Sequence, residues 1–234
     1  MTLDARLFAD DPARDERFTV RDRWAEVTNF PPGHPEATTE FLHRQMNEEI
    51  NGLEISARNL VDYPDADWEL RLAIARQCWD EARHIEMFRR YLERRSGHVG
   101  KYPVMNFQFR ILTKIDTLIG RLAVQNRSFE AAGIDAIHQG IRESGDDADL
   151  AELFDVQLAD EVQHVRYANV WVKKLAERSG PRALIDMARA VAHANEALKI
   201  VAGEAALTYP VADDVRREAG FSEAEIEAVR AMTI

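Results

Sequence analysis

The chain has 234 residues, 30% of them charged and 46% hydrophobic, with 30 Lys plus Arg against 41 Asp plus Glu and a formal net charge of −11. That length supplies enough apolar material for a sizeable core, in one large domain or two small ones. The acidic balance speaks against nucleic acid and against an anionic membrane surface, both of which select clustered positive charge. One cysteine, Cys78, excludes an internal disulfide, a cysteine-based zinc site and a rubredoxin-type iron site.

The first 30 residues are too charged for a signal peptide, and no run approaches the roughly 20 apolar residues of a membrane-spanning helix. A soluble, cytoplasmic protein is expected. Pro31, Pro32, Gly33 and Pro35 end an irregular N-terminal segment. Thr38 or Thr39 is then placed to cap a first helix running to about Val61. Tyr63-Pro64-Asp65 turns the chain into a second helix, from about Asp67 to Arg95. A third is expected from about Asn106 to Glu143, and a fourth from about Asp149 to Arg178 after the turn at Ser144–Asp147. Gly180-Pro181 stops it and opens a fifth, to about Leu207. A short sixth begins at Ser222, where Ser222 and Glu225 have capping-box spacing. Strand signals are essentially absent. The fold class is all-α, a helix bundle. Residues 1–36 form an arm, 37–180 a four-helix domain, and 181–234 C-terminal helices packing on the bundle.

The chain repeats itself. Glu49-Ile-Asn-Gly52 matches Glu130-Ala-Ala-Gly133. Asp80-Glu81-Ala-Arg-His84 follows the first, and Asp160-Glu161-Val-Gln-His164 the second, at nearly the same distance. Each hairpin thus pairs a Glu on one helix with Asp-Glu-x-x-His on the next. Glu and His at i, i+3 share a helix face, so both can reach one metal ion. Carboxylate oxygen with imidazole nitrogen suits iron or manganese. Counted from the turns, Glu49 and Glu81 lie at about 22 and 25 Å, Glu130 and Glu161 at about 24 and 22 Å, so each pair meets across its hairpin. Glu54 would miss Glu81 by about 10 Å, and Glu48 faces the wrong way. On the first helix Leu42, Met46, Glu49, Leu53, Ala57 and Leu60 form one stripe. On the second, Ile74, Cys78, Glu81, Ile85 and Phe88 do so. On the fourth, Leu158, Glu161, Val165 and Ala168 do. Four carboxylates in such seams would repel one another and suffer a large desolvation cost, which two divalent cations offset.

These motifs resemble the ferritin-like di-iron carboxylate superfamily, whose site is one Glu from each of two helices plus two Glu-x-x-His motifs. The resemblance covers roughly residues 38–178. The Asp-Glu-x-Arg-His form at 80–84 is similar to the oxygen-activating members. The hairpin lengths and the Tyr-Pro-Asp turn are similar to a bacterial ferritin-like group of unassigned activity. The resemblance implies a ferritin-like four-helix bundle in which Glu49, Glu81, His84, Glu130, Glu161 and His164 bind two iron ions, an Fe/Fe centre in preference to Mn/Fe. Glu81 and Glu161 would bridge the metals or cap one each, and Asp80 and Asp160 would accept the second N–H of the ligand histidines. Phe88 stands where radical-generating relatives carry a tyrosine. Gln157 stands where some amine N-oxygenases carry an extra histidine.

Remaining residues carry weaker signals. Phe88, Phe129 and His138 are candidates to line a cavity. A histidine satisfied in the core or at the surface also fits His138. Trp79, Tyr167 and Trp171 read as core aromatics, Cys78 as a small buried hydrophobe, and His193 with Glu196 as a surface pair. His34, His43 and His98 carry no signal. Arg83 is expected in a salt bridge near the site. The implied activity is an oxygenase or oxidase using O2 to hydroxylate or N-oxygenate a small organic substrate, with an electron donor as a further partner. The alternative is a ferritin-like iron-binding ferroxidase without an organic substrate. The helices after residue 180 are available to cover the site or to form a homodimer interface.

Overall fold

The computed structural model describes residues 2–9, 12, 14–31, 33–145, 147–203 and 209–232, and their regular backbone is predominantly helical. The chain divides into two compact units, one comprising residues 1–116 and 192–206, the other 117–191 and 207–234.

The first unit opens with a one-turn helix, α1 (Leu3–Leu7), whose Ala5 N donates to Thr2 Oγ1 at 3.3 Å. The arm is therefore not wholly irregular. It continues through β1 (Val20–Arg21) and a 3₁₀ turn at Trp24–Glu26 before two long helices, α2 (Ala37–Asp62) and α3 (Trp68–Arg94). These two pack along their lengths as a hairpin around the Tyr63–Asp67 turn. Then come β2 (Val104–Met105) and α4 (Phe107–Leu112). The two short strands pair in parallel, Val20 opposite Val104. They have too few residues for an alternating pattern to be visible in the sequence. Next to them Gly100 sits at φ +84°, and a Cβ there would come within 2.2 Å of the Arg17 carbonyl oxygen, so only glycine lets the arm approach.

The buried face of α2 runs through Leu42, Met46, Glu49, Gly52, Ser56 and Asn59, whereas Ala57 is exposed and Leu53 and Leu60 are half-buried. The expected stripe drifts off this line because residues spaced close to 3.5 apart, rather than 3.6, keep facing a partner helix. The same correction applies to α3. Gln77 is buried there and Cys78 only half-buried, while Trp79 is 66% exposed instead of lying in the core. No threonine caps α2. Its N-cap is Glu36, and Thr38 and Thr39 lie inside the helix.

The third helix is not continuous from Asn106 to Glu143. α4 ends where Thr113 Oγ1 turns back to the Phe109 carbonyl at 2.9 Å, a side-chain bond that competes with the helix ladder. The chain restarts in the second unit as α5 (Leu118–Val124), where Thr117 Oγ1 accepts from Gly120 N at 3.3 Å. A six-residue π-helical turn, Gln125–Glu130, leads into α6 (Ala131–Glu143). α7 (Ala148–Ser179) is capped by Asp147, whose Oδ1 accepts from Leu150 N at 3.0 Å. After Gly180 (φ +57°), α8 (Pro181–Ala202) begins on the proline. It ends five residues short of Leu207, which lies outside the described residues. The second unit closes with α9 (Asp213–Glu218) and α10 (Glu223–Met232). The Ser222–Glu225 capping box is formed, with Ser222 N donating to Glu225 Oε2 at 2.8 Å and Glu225 N to Ser222 Oγ at 3.4 Å. Ala219, Phe221 and Ile226 pack into one apolar cluster with Ala131, Ile134, Val162 and Val165. Among the described residues no helix is long and apolar enough to cross a membrane.

Candidate metal centre

In the first unit, α2 presents Glu49 and α3 presents Glu81 and His84, all three buried. His84 Nδ1 lies 3.0 Å from Glu49 Oε2 and 3.5 Å from Glu81 Oε2. One atom from each residue falls in a group whose members all lie within 4.8 Å of one another. Ligand atoms held about 2.1 Å from one cation stand about 3 Å apart, so these separations suit a metal ion. A single ring N–H could satisfy only one of the two carboxylates it faces. This buried Glu/His group could hold a metal ion.

Two further residues set the orientation of Glu81. Gln77, one turn earlier on α3, donates from Nε2 to Glu81 Oε1 at 2.9 Å. Across the hairpin, Gly52 gives the carboxylate its place. A Cβ on Gly52 would lie 3.0 Å from Glu81 Oε1 and 3.1 Å from its Cδ. The helix is thus cut away where the acid sits. Asp80 is buried and accepts from Arg83 Nη2 at 2.9 Å and from Arg76 Nε at 3.1 Å. Arg83 therefore forms the expected salt bridge. Phe88, one turn beyond His84, is fully buried.

The second unit presents Glu130 at the end of its π turn, and Glu161 and His164 on α7. His164 Nδ1 lies 3.4 Å from Glu161 Oε2. Glu130 and His164 each bring a ligand atom within 4.8 Å of the other's. Asn126 does here what Gln77 does in the first unit, donating from Nδ2 to Glu130 Oε2 at 2.7 Å, with the His164 carbonyl and Tyr167 Oη each at 3.4 Å. A π turn accommodates one extra residue per turn and is often found where a side chain must be re-aimed. Here it carries both Asn126 and Glu130. Glu161 and His164 are buried, whereas Glu130, Asp160, Phe129 and His138 are half-buried.

The other acids of the first helix are engaged elsewhere. Glu54 pairs with Arg14. Glu48 accepts from Gln108 Nε2 at 2.9 Å, and burial pushes its carboxyl up to about 7 against the opposing pull of Arg44 and Arg14. Glu196 bonds Lys199 at 3.0 Å. His43 is buried, with Nε2 accepting from Gly100 N at 2.9 Å and its ring against Phe18 and Tyr102. Desolvation, helped by the nearby His98, lowers its pKa to about 4.

The supporting amides went unread in the sequence, although half of the signal was there. Gln-x-x-Asp-Glu-x-x-His occurs at both 77–84 and 157–164, and Gln157 is buried like Gln77. Asn126 carried no such signal, because the π turn that aims it has no periodicity to read. No curated protein matches the sequence. A family model described as a protein of unknown function (DUF455) matches residues 3–227, nearly the whole chain, and the chain belongs to that family.

Proposed function

We propose that this chain is a ferritin-like di-iron protein that uses O2 to oxidise a small organic substrate, by hydroxylation or N-oxygenation. One observation carries the reading. Each unit gathers two glutamates and a histidine from the repeated motif, five of the six residues being buried, with a side-chain amide holding one glutamate in each. In this reading Glu49, Glu81 and His84 are the ligands the first unit offers, and Glu130, Glu161 and His164 those the second unit offers. Iron bound there would supply the electrons for O2 reduction and the oxidising power that protein side chains lack.

The chain's own residues do the rest. Gln77 and Gly52 keep the Glu81 carboxylate in one orientation, and Asn126 does so for Glu130. Asp80, locked by two arginines, is a rigid acceptor beside Glu81. Phe88, one turn on along α3, is as fully buried as His84.

The test is anaerobic loading of the apoprotein with Fe(II), metal analysis, then admission of O2 with product analysis against a library of small amines and hydrocarbons. The expected result is two irons per chain, O2 consumption, and an oxidised product carrying oxygen from O2. Glu81→Ala and Glu161→Ala should each lose bound iron. Many irons per chain would favour a storage ferroxidase instead. Fewer than two, or binding unchanged in both variants, would overturn the reading.

A further inference from the structure

Three glycines interrupt the long helices of the two hairpins, and they differ in what fills the space beside them. At Gly52 the space holds the Glu81 carboxylate. At Gly140 it holds the Phe154 ring, 2.9 Å from where a Cβ would be. At Gly133 it holds nothing among the described residues. Among the described residues a Cβ there would meet no atom within 4 Å beyond its own stretch of helix, and the residue has no positive φ. Alanine would fit without strain and is the better helix former, so neither packing nor backbone geometry requires glycine at this position.

Gly133 stands one turn after Glu130, on the edge of the same helix face. Glu130 is also the one half-exposed member of the six. The half-buried Phe129 lies four residues before Gly133, on the same side of the chain's helical path. An open space, a half-buried carboxylate and a half-buried aromatic residue therefore fall within five consecutive residues of the second hairpin.

From this coincidence we propose that Gly133 is a specificity-determining residue, leaving room beside Glu130 for the thin, apolar end of a small organic molecule. The inference rests on the metal-centre reading above and adds to it where the substrate lies and what limits its width. An unbranched chain passes beside a glycine. A β-branched side chain at 133 would narrow that passage, and position 133 is itself none of the six ligand positions.

The test uses the full chain loaded with Co(II), whose visible absorption reports an added ligand, and unbranched carboxylates from acetate to octanoate as probes. In the unaltered chain both acetate and octanoate should perturb the spectrum. Gly133→Val should bind Co(II) and acetate as before but octanoate at least tenfold more weakly. Gly133→Ala should fall between and should melt at a higher temperature than the unaltered apoprotein, since it adds a helix former in open space. Octanoate binding unchanged in Gly133→Val, or absent in the unaltered chain that binds acetate, would overturn this inference alone. Failure of the unaltered chain to bind Co(II) would overturn the metal-centre reading, and this inference with it.

Discussion

A carboxylate that is to hold a metal ion would need a direction as well as a charge, and at Glu81 a direction comes from two neighbours with no charge. Gln77 donates to one oxygen, and Gly52 makes room for the group. Gly52→Ala should leave the fold intact, because the atom it meets is the end of a flexible side chain, but it should displace the carboxylate. Loss of such outer support typically costs 10- to 100-fold in metal affinity. The same range is expected for Gln77→Leu, and competitive chelator titration would measure both. His43 makes a different prediction. Its Nε2 accepts from Gly100 N, so the ring must stay neutral there, and its pKa is lowered from the ordinary 6.5 to about 4. Between those values the unfolded chain binds the extra proton. Stability linked to His43 is therefore complete above about 6.5 and falls as pH drops toward 4, by at most on the order of 3 kcal/mol. Urea unfolding of the unaltered chain and of His43→Gln across this window should show a shallower acid slope in the variant. Parallel curves would refute the assignment.

At the scale of elements, the C-terminal pair α9–α10 is fastened to α6 by a buried ion pair. Arg216 Nη2 lies 2.6 Å from Asp135 Oδ2 and 3.1 Å from the Ala131 carbonyl, and Asp135 Oδ1 also accepts from Ala212 N at 2.9 Å. Arg216 and Arg127 both lie against the Phe221 ring, 5.3 and 5.5 Å from its centroid. Breaking a buried pair from one side strands a charge and costs about 3–5 kcal/mol. Asp135→Ala should therefore lower stability by roughly that amount in denaturant titration. Replacing both partners with apolar residues of similar volume should cost less. Asp135 aligns with Glu54 in the sequence repeat, and neither acid belongs to its unit's Glu/His group. One is held by Arg216 and the other by Arg14. The repeat thus preserves acids for two purposes, and only the contacts distinguish them.

For the whole molecule the relevant quantity is charge. Two divalent ions on four carboxylates would move the balance from −11 to about −7. Binding to the folded chain alone stabilises it by about 2.7 kcal/mol per site when metal exceeds Kd a hundredfold. For a chain of this size one such site raises Tm by roughly 5–10 °C. Anaerobic Fe(II) or Co(II) should therefore raise the melting temperature and slow migration toward the anode in native electrophoresis. Neither change is expected for the combined Glu81→Ala and Glu161→Ala chain.

Long uninterrupted helices, their turns, the Ser222 cap and the repeated Glu and Asp-Glu-x-x-His pattern were all determined by the sequence alone. Each rests on local chemistry: helix period, breaker residues, or a side chain within four residues of its partner. The break after α4, the π turn and the pairing of two-residue strands were decided only in the tertiary structure. A few local hydrogen bonds and distant packing settle them without a readable period. The stripe on α2 was legible up to Glu49 and then drifted, because its spacing answers to the helix it packs against. Gln77, Gly52 and Asn126 belong to the same class. What makes them matter is the carboxylate they touch, and for Gly52 that carboxylate is 29 positions away along the chain.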